Sequence, residues 1–293
     1  MQKQLQSSEL VLNPDGSVYH IALKNEDIAD DVILVGDPGR VKTVASFFDH
    51  IELERSHREF NTITGTYKGK RISVLSTGIG TDNIDIVLNE LDAAVNIDLE
   101  KKEFKQEHRS LNLIRLGTCG ALHEDLVCDS VLASEYGLGF DGLAYYYELE
   151  NSVIDQSMSD AFNKHSNWPE RLSRAYAVAG SRTLLDKLAK DYAQGITATA
   201  TGFYGPQARS LRLNLSIPDM HERLKSFNYK GHRILNFEME TSGLYYMSGA
   251  LGHQALTMCT VVANRARKEF SKDYKAAVKE MIANCLDGLT NDW

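Results

Sequence analysis

Arg115 is the residue that most demands a chemical partner, because it stands inside the apolar run Leu-Asn-Leu-Ile-Arg-Leu at 111–116. A guanidinium is expensive to bury unless an anion or a carboxylate meets it. A bound oxyanion would satisfy it, and so would a salt bridge internal to the fold. Glu238 and Glu240, in Asn-Phe-Glu-Met-Glu at 236–240, are separated by one residue. In an extended chain both face the same side. A carboxylate presents two acceptor oxygens that match adjacent hydroxyls of a sugar diol. Stabilising a helix N-terminus would account for one of the two acids.

Three glycine-rich segments follow apolar runs: Gly36-Asp37-Pro38-Gly39-Arg40, Ser76-Thr77-Gly78-Ile79-Gly80 and Gly117-Thr118-Cys119-Gly120. Glycines at a strand end let the backbone approach a ligand, and the N–H groups of a following helix favour an anion. Arg40 adds charge there, although a tight turn with a surface arginine reads equally well. The second segment lacks the third glycine of a dinucleotide fingerprint, since Asn83 stands at that position, and no Walker A loop is present. In Phe203-Tyr204-Gly205-Pro206-Gln207-Ala208-Arg209, Gln207 offers a donor and an acceptor while Arg209 offers donors only. That pair suits a planar heterocycle with carbonyl oxygens, on which Phe203 could stack; taken alone, a polar loop explains the segment as well.

These residues need a frame to hold them. Residues 31–35 and 72–75 read as strands, each passing through glycines into a helical pattern, 41–48 and 84–95. A third strand is expected at 111–116, and further ones at 130–134, 175–179, 196–203, 234–237 and 255–262. Tyr274, Ala277, Val278, Met281, Ile282, Cys285, Leu286 and Leu289 fall on one stripe of a final helix. Nearly continuous apolar strands alternating with helices predict an α/β fold, with a central, mostly parallel or mixed twisted sheet covered by helices on both faces. No linker tract divides the chain, so one domain over 1–293 is expected, with ligands beyond the carboxyl ends of the strands.

A formal net charge of −8 tells against a nucleic-acid or anionic-membrane surface. Any anion site is therefore a local cleft. Cys119, Cys128, Cys259 and Cys285 show no metal-ligand spacing, and free thiols in a reducing compartment are the simplest account. With no signal-peptide pattern and no apolar run long enough to span a bilayer, the expected location is the cytoplasm.

Taken in order, these segments resemble the nucleoside phosphorylase family, which includes uridine phosphorylases and the hexameric-type purine nucleoside phosphorylases. The resemblance runs from Tyr19-His20 to Arg265, and includes His57-Arg58-Glu59-Phe60 and Arg115-Leu116-Gly117-Thr118 besides the motifs above. It implies a transferase that cleaves a nucleoside with phosphate as co-substrate and no other cofactor. By that likeness Gly36, Arg40, Arg115 and Thr118 hold phosphate, joined by Arg58 of a neighbouring subunit. Met239 and Glu240 hold ribose, with the neighbour's His20 reaching its 5'-hydroxyl. Phe203, Gln207 and Arg209 hold the base, and Arg209, Gln207 and Glu240 act in catalysis. A homo-oligomer with sites shared across an interface follows. Family members can carry a monovalent cation near the acid after the His-Arg pair, where Glu59 stands; no metal is expected.

Purine-cleaving members resemble Thr-Val-Ser-Asp where this chain has Thr260-Val261-Val262-Ala263. Their Asp protonates a purine nitrogen, and Ala263 has no proton to give, so a pyrimidine nucleoside such as uridine is the expected substrate. The alternatives are a purine nucleoside phosphorylase or a nucleosidase on the same fold and, more remotely, a non-catalytic nucleoside-binding module. The pattern departs from the family at Gly80-Thr81-Asp82-Asn83, which brings an acid toward the expected anion, and the stretch 211–230 has no evident role.

Overall fold

The computed structural model describes residues 4–148 and 153–291. Its strands are β1 (Asp31–Val35), β2 (His50–His57), β3 (Phe60–Tyr67), β4 (Lys70–Ser76), β5 (Ile97–Asp98), β6 (Glu103–Phe104), β7 (Asn112–Ala121), β8 (Val131–Gly139), β9 (Tyr176–Ala179), β10 (Ala193–Thr199), β11 (Asn228–Tyr229), β12 (His232–Glu238), β13 (Gln254–Asn264) and β14 (Glu269–Phe270). The helices are α1 (Pro38–Ala45), α2 (Thr81–Asn96), α3 (Gln156–His165), α4 (Arg182–Leu188), α5 (Met220–Ser226), α6 (Thr241–Ala250) and α7 (Tyr274–Thr290).

All five residues of β1 are buried, as expected of a strand covered on both faces. It pairs in parallel with β4 on one side and β7 on the other. The order β11-β12-β10-β8-β13-β7-β1-β4-β3-β2 mixes parallel and antiparallel pairs. In α2, Ile84, Val87, Leu88, Leu91 and Val95 are buried at three- and four-residue spacing. They pack with Leu244 and Tyr245 of α6 against one side of the sheet. On the other side Val41 and Val44 of α1, Leu184 and Leu185 of α4, and Met281, Ile282 and Cys285 of α7 form a second core. The expected α/β architecture with helices on both faces is therefore observed. Among the described residues no helix is long and apolar enough to cross a membrane.

Two features depart from the expected open sheet. β7 does not end at Leu116. It runs on through Gly117-Thr118-Cys119-Gly120, which is strand and not turn, paired throughout with β13. Its far end then pairs antiparallel with β12, Asn236 opposite Ala121 and Phe237 opposite Gly120, so that β7, β13, β8, β10 and β12 close into a ring. The hairpin of β2 and β3 was absent from the expected strands. β2 is largely exposed, so it lacks the apolar signature on which the other strands were identified.

Candidate active site

A cavity of about 560 Å³ opens where β1, β7, β12 and β13 end, lined by residues that include Gly36, Arg40, Arg115, Thr118, Phe203, Gln207, Arg209, Met239 and Glu240. All three glycine-rich segments reach it. Asp37 caps α1 by accepting from the Gly39 N–H at 2.8 Å, and Pro38 starts the helix, which sets Arg40 one turn in. A Cβ on Gly36 would lie 3.2 Å from the Gly78 carbonyl, so the first two segments meet closely.

Arg115 is 5% exposed. Its Nη2 donates to Glu240 Oε2, and its Nη1 lies 3.4 Å from Glu238 Oε2 and 3.4 Å from Cys259 Sγ. The guanidinium folds back over its own strand: a Cβ on Gly117 would sit 2.1 Å from Nη1. Only glycine leaves that space. Burial works against the charge of Arg115, but Glu240 and then Glu238 outweigh it and hold the group well above the ordinary arginine value.

The two glutamates divide their work. Glu238 accepts from Thr199 Oγ1 at 2.7 Å, from the Glu240 N–H at 2.9 Å, and from the Thr241 N–H at 3.0 Å. It thereby satisfies the N-terminus of α6 and is the acid that the helix reading accounts for. Glu240 accepts from the Gly80 N–H at 2.8 Å and meets Arg115 with its other oxygen. Burial raises its pKa, Arg115 opposes that, and the carboxylate of Glu238 reinforces it.

Arg40 donates to the Leu116 carbonyl at 3.0 Å. Its pKa is lowered first by burial and then by Arg115. A desolvated cation beside a second cation is a place where an incoming anion gains more than in water.

At the other end of the cavity Arg209 Nη1 donates to Gln207 Oε1 and to the Phe203 carbonyl, both at 2.6 Å. Its guanidinium lies 3.9 Å from the centre of the Phe203 ring. With its oxygen accepting from Arg209, Gln207 has its amide N–H groups left for a ligand. Ala208, at φ 54 and ψ 38, makes the turn that brings Gln207 and Arg209 together.

Cys119, Phe237, Val262 and Phe270 also line the cavity and had been given no role, and Ala263, read as standing where purine-cleaving relatives carry a proton donor, lines it too. Burial, and then Cys259, push the Cys119 thiol well above its usual value, so it is a poor nucleophile. Arg265, where the resemblance ends and for which no role was expected, is not among the lining residues but lies over Phe237, which is, at 5.7 Å from the ring centre. Its Nη2 is buried without a hydrogen-bond partner, and burial together with Arg209 lowers its pKa to about 10. An arginine directly after the long apolar run of β13 is the signal that could have found it. Asp82, in contrast, is exposed on the first turn of α2 and does not line the cavity.

His20 and Arg58 are not among the residues lining the cavity of their own chain. His20 is held by Glu90, through Nδ1 at 2.6 Å and its backbone N–H at 2.8 Å. The Arg58 guanidinium lies 5.5 Å from the Tyr19 ring centre, and His57 Nδ1 is 2.9 Å from the His20 carbonyl. They form a separate cluster. Glu59 is exposed, with its Cγ near Gly78.

The Phosphorylase superfamily model matches residues 30–289. The uridine phosphorylase of Thermococcus kodakarensis is 32% identical over 274 residues, covering 93% of this chain and 86% of that protein. The DeoD-type purine nucleoside phosphorylase of Brevibacillus brevis is also 32% identical, over 92% of this chain and 97% of its own. Among solved structures, a Trypanosoma brucei nucleoside phosphorylase described as showing uridine phosphorylase activity superposes with a TM-score of 0.86 at 31% identity, covering 96% of this chain and 99% of that one. A match across nearly the whole chain makes this protein a member of the phosphorylase superfamily, an enzyme of pentosyl transfer within the nucleoside phosphorylase family.

Proposed function

We propose that this enzyme catalyses reversible phosphorolysis of a pyrimidine nucleoside, uridine plus phosphate giving uracil plus ribose 1-phosphate. The observation that carries this reading is the base end of the cavity, where Gln207 and Arg209 supply donors and Ala263 stands in the wall. The acids that line the cavity are Asp37, Glu238 and Glu240, none of them in the segments that form that end. Such an end suits a base that leaves as an anion and accepts hydrogen bonds at its carbonyl oxygens.

In this reading phosphate lies against Arg40, Arg115, Thr118 and Gly36. Ribose lies on Met239 and Glu240, with its diol on the Glu240 carboxylate. As the N1–C1' bond lengthens, its electron pair passes to the uracil ring and the sugar gains oxocarbenium character. A phosphate oxygen then bonds to C1', and a proton from solvent completes the free uracil. Arg209 and Gln207 hydrogen bonds strengthen as charge grows on the base. Holding both reactants together supplies much of the rest. No covalent enzyme intermediate, metal or organic cofactor enters the scheme. His20 and Arg58 act from a second copy of the chain, so the working unit is a homo-oligomer. The four free cysteines fit a reducing, cytoplasmic setting.

The test is uracil release from uridine with phosphate present and removed. Release that persists without phosphate makes the enzyme a hydrolase and overturns the proposal. Equal identity to a DeoD-type purine nucleoside phosphorylase favours a purine nucleoside as the second reading. Inosine assayed in parallel decides it, with turnover of uridine at least tenfold above inosine expected.

A further inference from the structure

A second and larger cavity, of about 870 Å³, lies on the far side of the segment that carries Gln207 and Arg209. The stretch 211–230, unexplained by the sequence, supplies one wall of it, through residues 211–217 and Met220 of α5. Phe140 and Trp168 form another wall, their rings 4.6 Å apart between centres, and Ile217 and Met220 are buried beside them. Leu211 and Leu213 stand at the rim, 76% and 83% exposed. Leaving two leucines in water beside an apolar hollow costs free energy that an apolar occupant recovers.

The charge around this cavity is one-sided. Arg171, Arg209 and Arg212 line it against one acid, Asp141. Asp141 is already satisfied: Oδ1 accepts from Tyr176 Oη at 2.8 Å and from the Leu143 N–H at 2.8 Å, and Oδ2 accepts from Ser242 Oγ at 2.7 Å. Arg209 donates through Nη1 to Phe203 and Gln207 and, in the proposed scheme, serves the base end of the catalytic cavity. Neither Arg171 nor Arg212 has a hydrogen bond or ion pair among the described residues. Two free guanidiniums at the mouth of an aromatic hollow match a flat apolar body with a negatively charged head.

We propose that this cavity is a binding site, separate from the catalytic one, for an aryl anion: an aromatic body of one or two fused rings bearing a single sulfonate, carboxylate or phosphate. The rings lie on Phe140 and Trp168 under Leu211 and Leu213, and the anionic group meets Arg171 and Arg212.

The probe is 8-anilinonaphthalene-1-sulfonate, titrated into the full chain with excitation at tryptophan. Trp168 is one of only two tryptophans, the other being Trp293. Saturable binding of one probe per chain is expected, with Trp168 emission quenched by energy transfer and that signal largely lost in Trp168→Phe. The double variant Arg171→Glu/Arg212→Glu changes two exposed side chains, so the fold and its circular dichroism are retained. Its affinity for the probe is expected to fall at least tenfold. Arg40→Ala, in the catalytic cavity, is expected to leave that affinity within twofold. An unchanged affinity in the double variant overturns the proposal. So does an equal loss in Arg40→Ala, which would put the probe in the catalytic cavity, and so does the absence of saturable binding.

Discussion

Arg115 and Glu240, 125 residues apart in the chain, form a buried ion pair that lines the candidate active-site cavity. The proposed scheme gives these two side chains to different substrates, phosphate and ribose. Each neutralises the other, so the scheme has phosphate and ribose exchange one set of charge-assisted hydrogen bonds for another.

Glu240→Gln keeps the shape and removes the charge. Turnover on uridine is expected to fall on the order of 100-fold, in line with loss of one preorganised electrostatic contact. Breaking a buried pair costs roughly 3–5 kcal/mol, and Glu238 at 3.4 Å from Arg115 should keep the loss near the lower end. Steady-state kinetics and denaturant unfolding measure the two separately. Full turnover in this variant would remove Glu240 from the scheme.

Gly117→Ala tests the space over β7. The added methyl would collide with the Arg115 guanidinium and force it off both glutamates. A stability loss of about 1–3 kcal/mol is expected from overpacking, with a rise in phosphate KM of tenfold or more. A melting curve and a phosphate titration at saturating uridine check it.

Arg209→Lys retains a positive charge but loses the planar guanidinium stacked on Phe203 and the N–H donors beyond the Nη1 that holds Phe203 and Gln207. It is expected to lower kcat by roughly 100-fold and leave phosphate KM within twofold. An equal loss of affinity for both substrates would mean that Arg209 shapes the whole cavity and not its base end.

Ala263→Asp places a carboxylate at the base end. A negative charge there opposes charge developing on the uracil, so kcat/KM for uridine is expected to fall tenfold or more. Comparing uridine with inosine in this variant shows whether position 263 governs the choice of base.

Arg265 has its pKa pushed down to about 10 by burial and then by Arg209. For a base the sign is clear. A folded pKa below the unfolded one means that holding the cation costs stability below about pH 10, relieved only as pH rises from there toward the ordinary arginine value. Arg265→Gln is therefore expected to stabilise the fold by about 1 kcal/mol, discounted for partial exposure. A melting temperature that falls contradicts the assignment.

Much of the site could be read locally. β1 with α1 and β4 with α2 each combine a short apolar run, a glycine segment and a three- or four-residue apolar spacing, all signals carried within about twenty residues. Arg115 in its apolar run and the pair Glu238 and Glu240 marked themselves by the cost of burying charge. The β2 and β3 hairpin carries no apolar pattern, β2 because it is exposed and β3 because its largely buried positions are mostly threonine, asparagine and glycine.

Other decisions needed the closed structure. The glycines of 117–120 permit a strand-ending turn, yet pairing with β13 along the whole segment keeps it extended. Ring closure between β7 and β12 brings Gly120 beside Phe237 and both glutamates over Arg115, contacts between residues more than a hundred positions apart. The hydrogen bond that turns Gln207, the desolvation of Arg40 and Arg265, and the hollow behind Arg209 have no local signature, since each depends on what the folded chain packs against it. Sequence therefore named the chemical groups through the cost of burying them, while tertiary packing decided which charges meet, which remain uncompensated, and which side of each group faces a ligand.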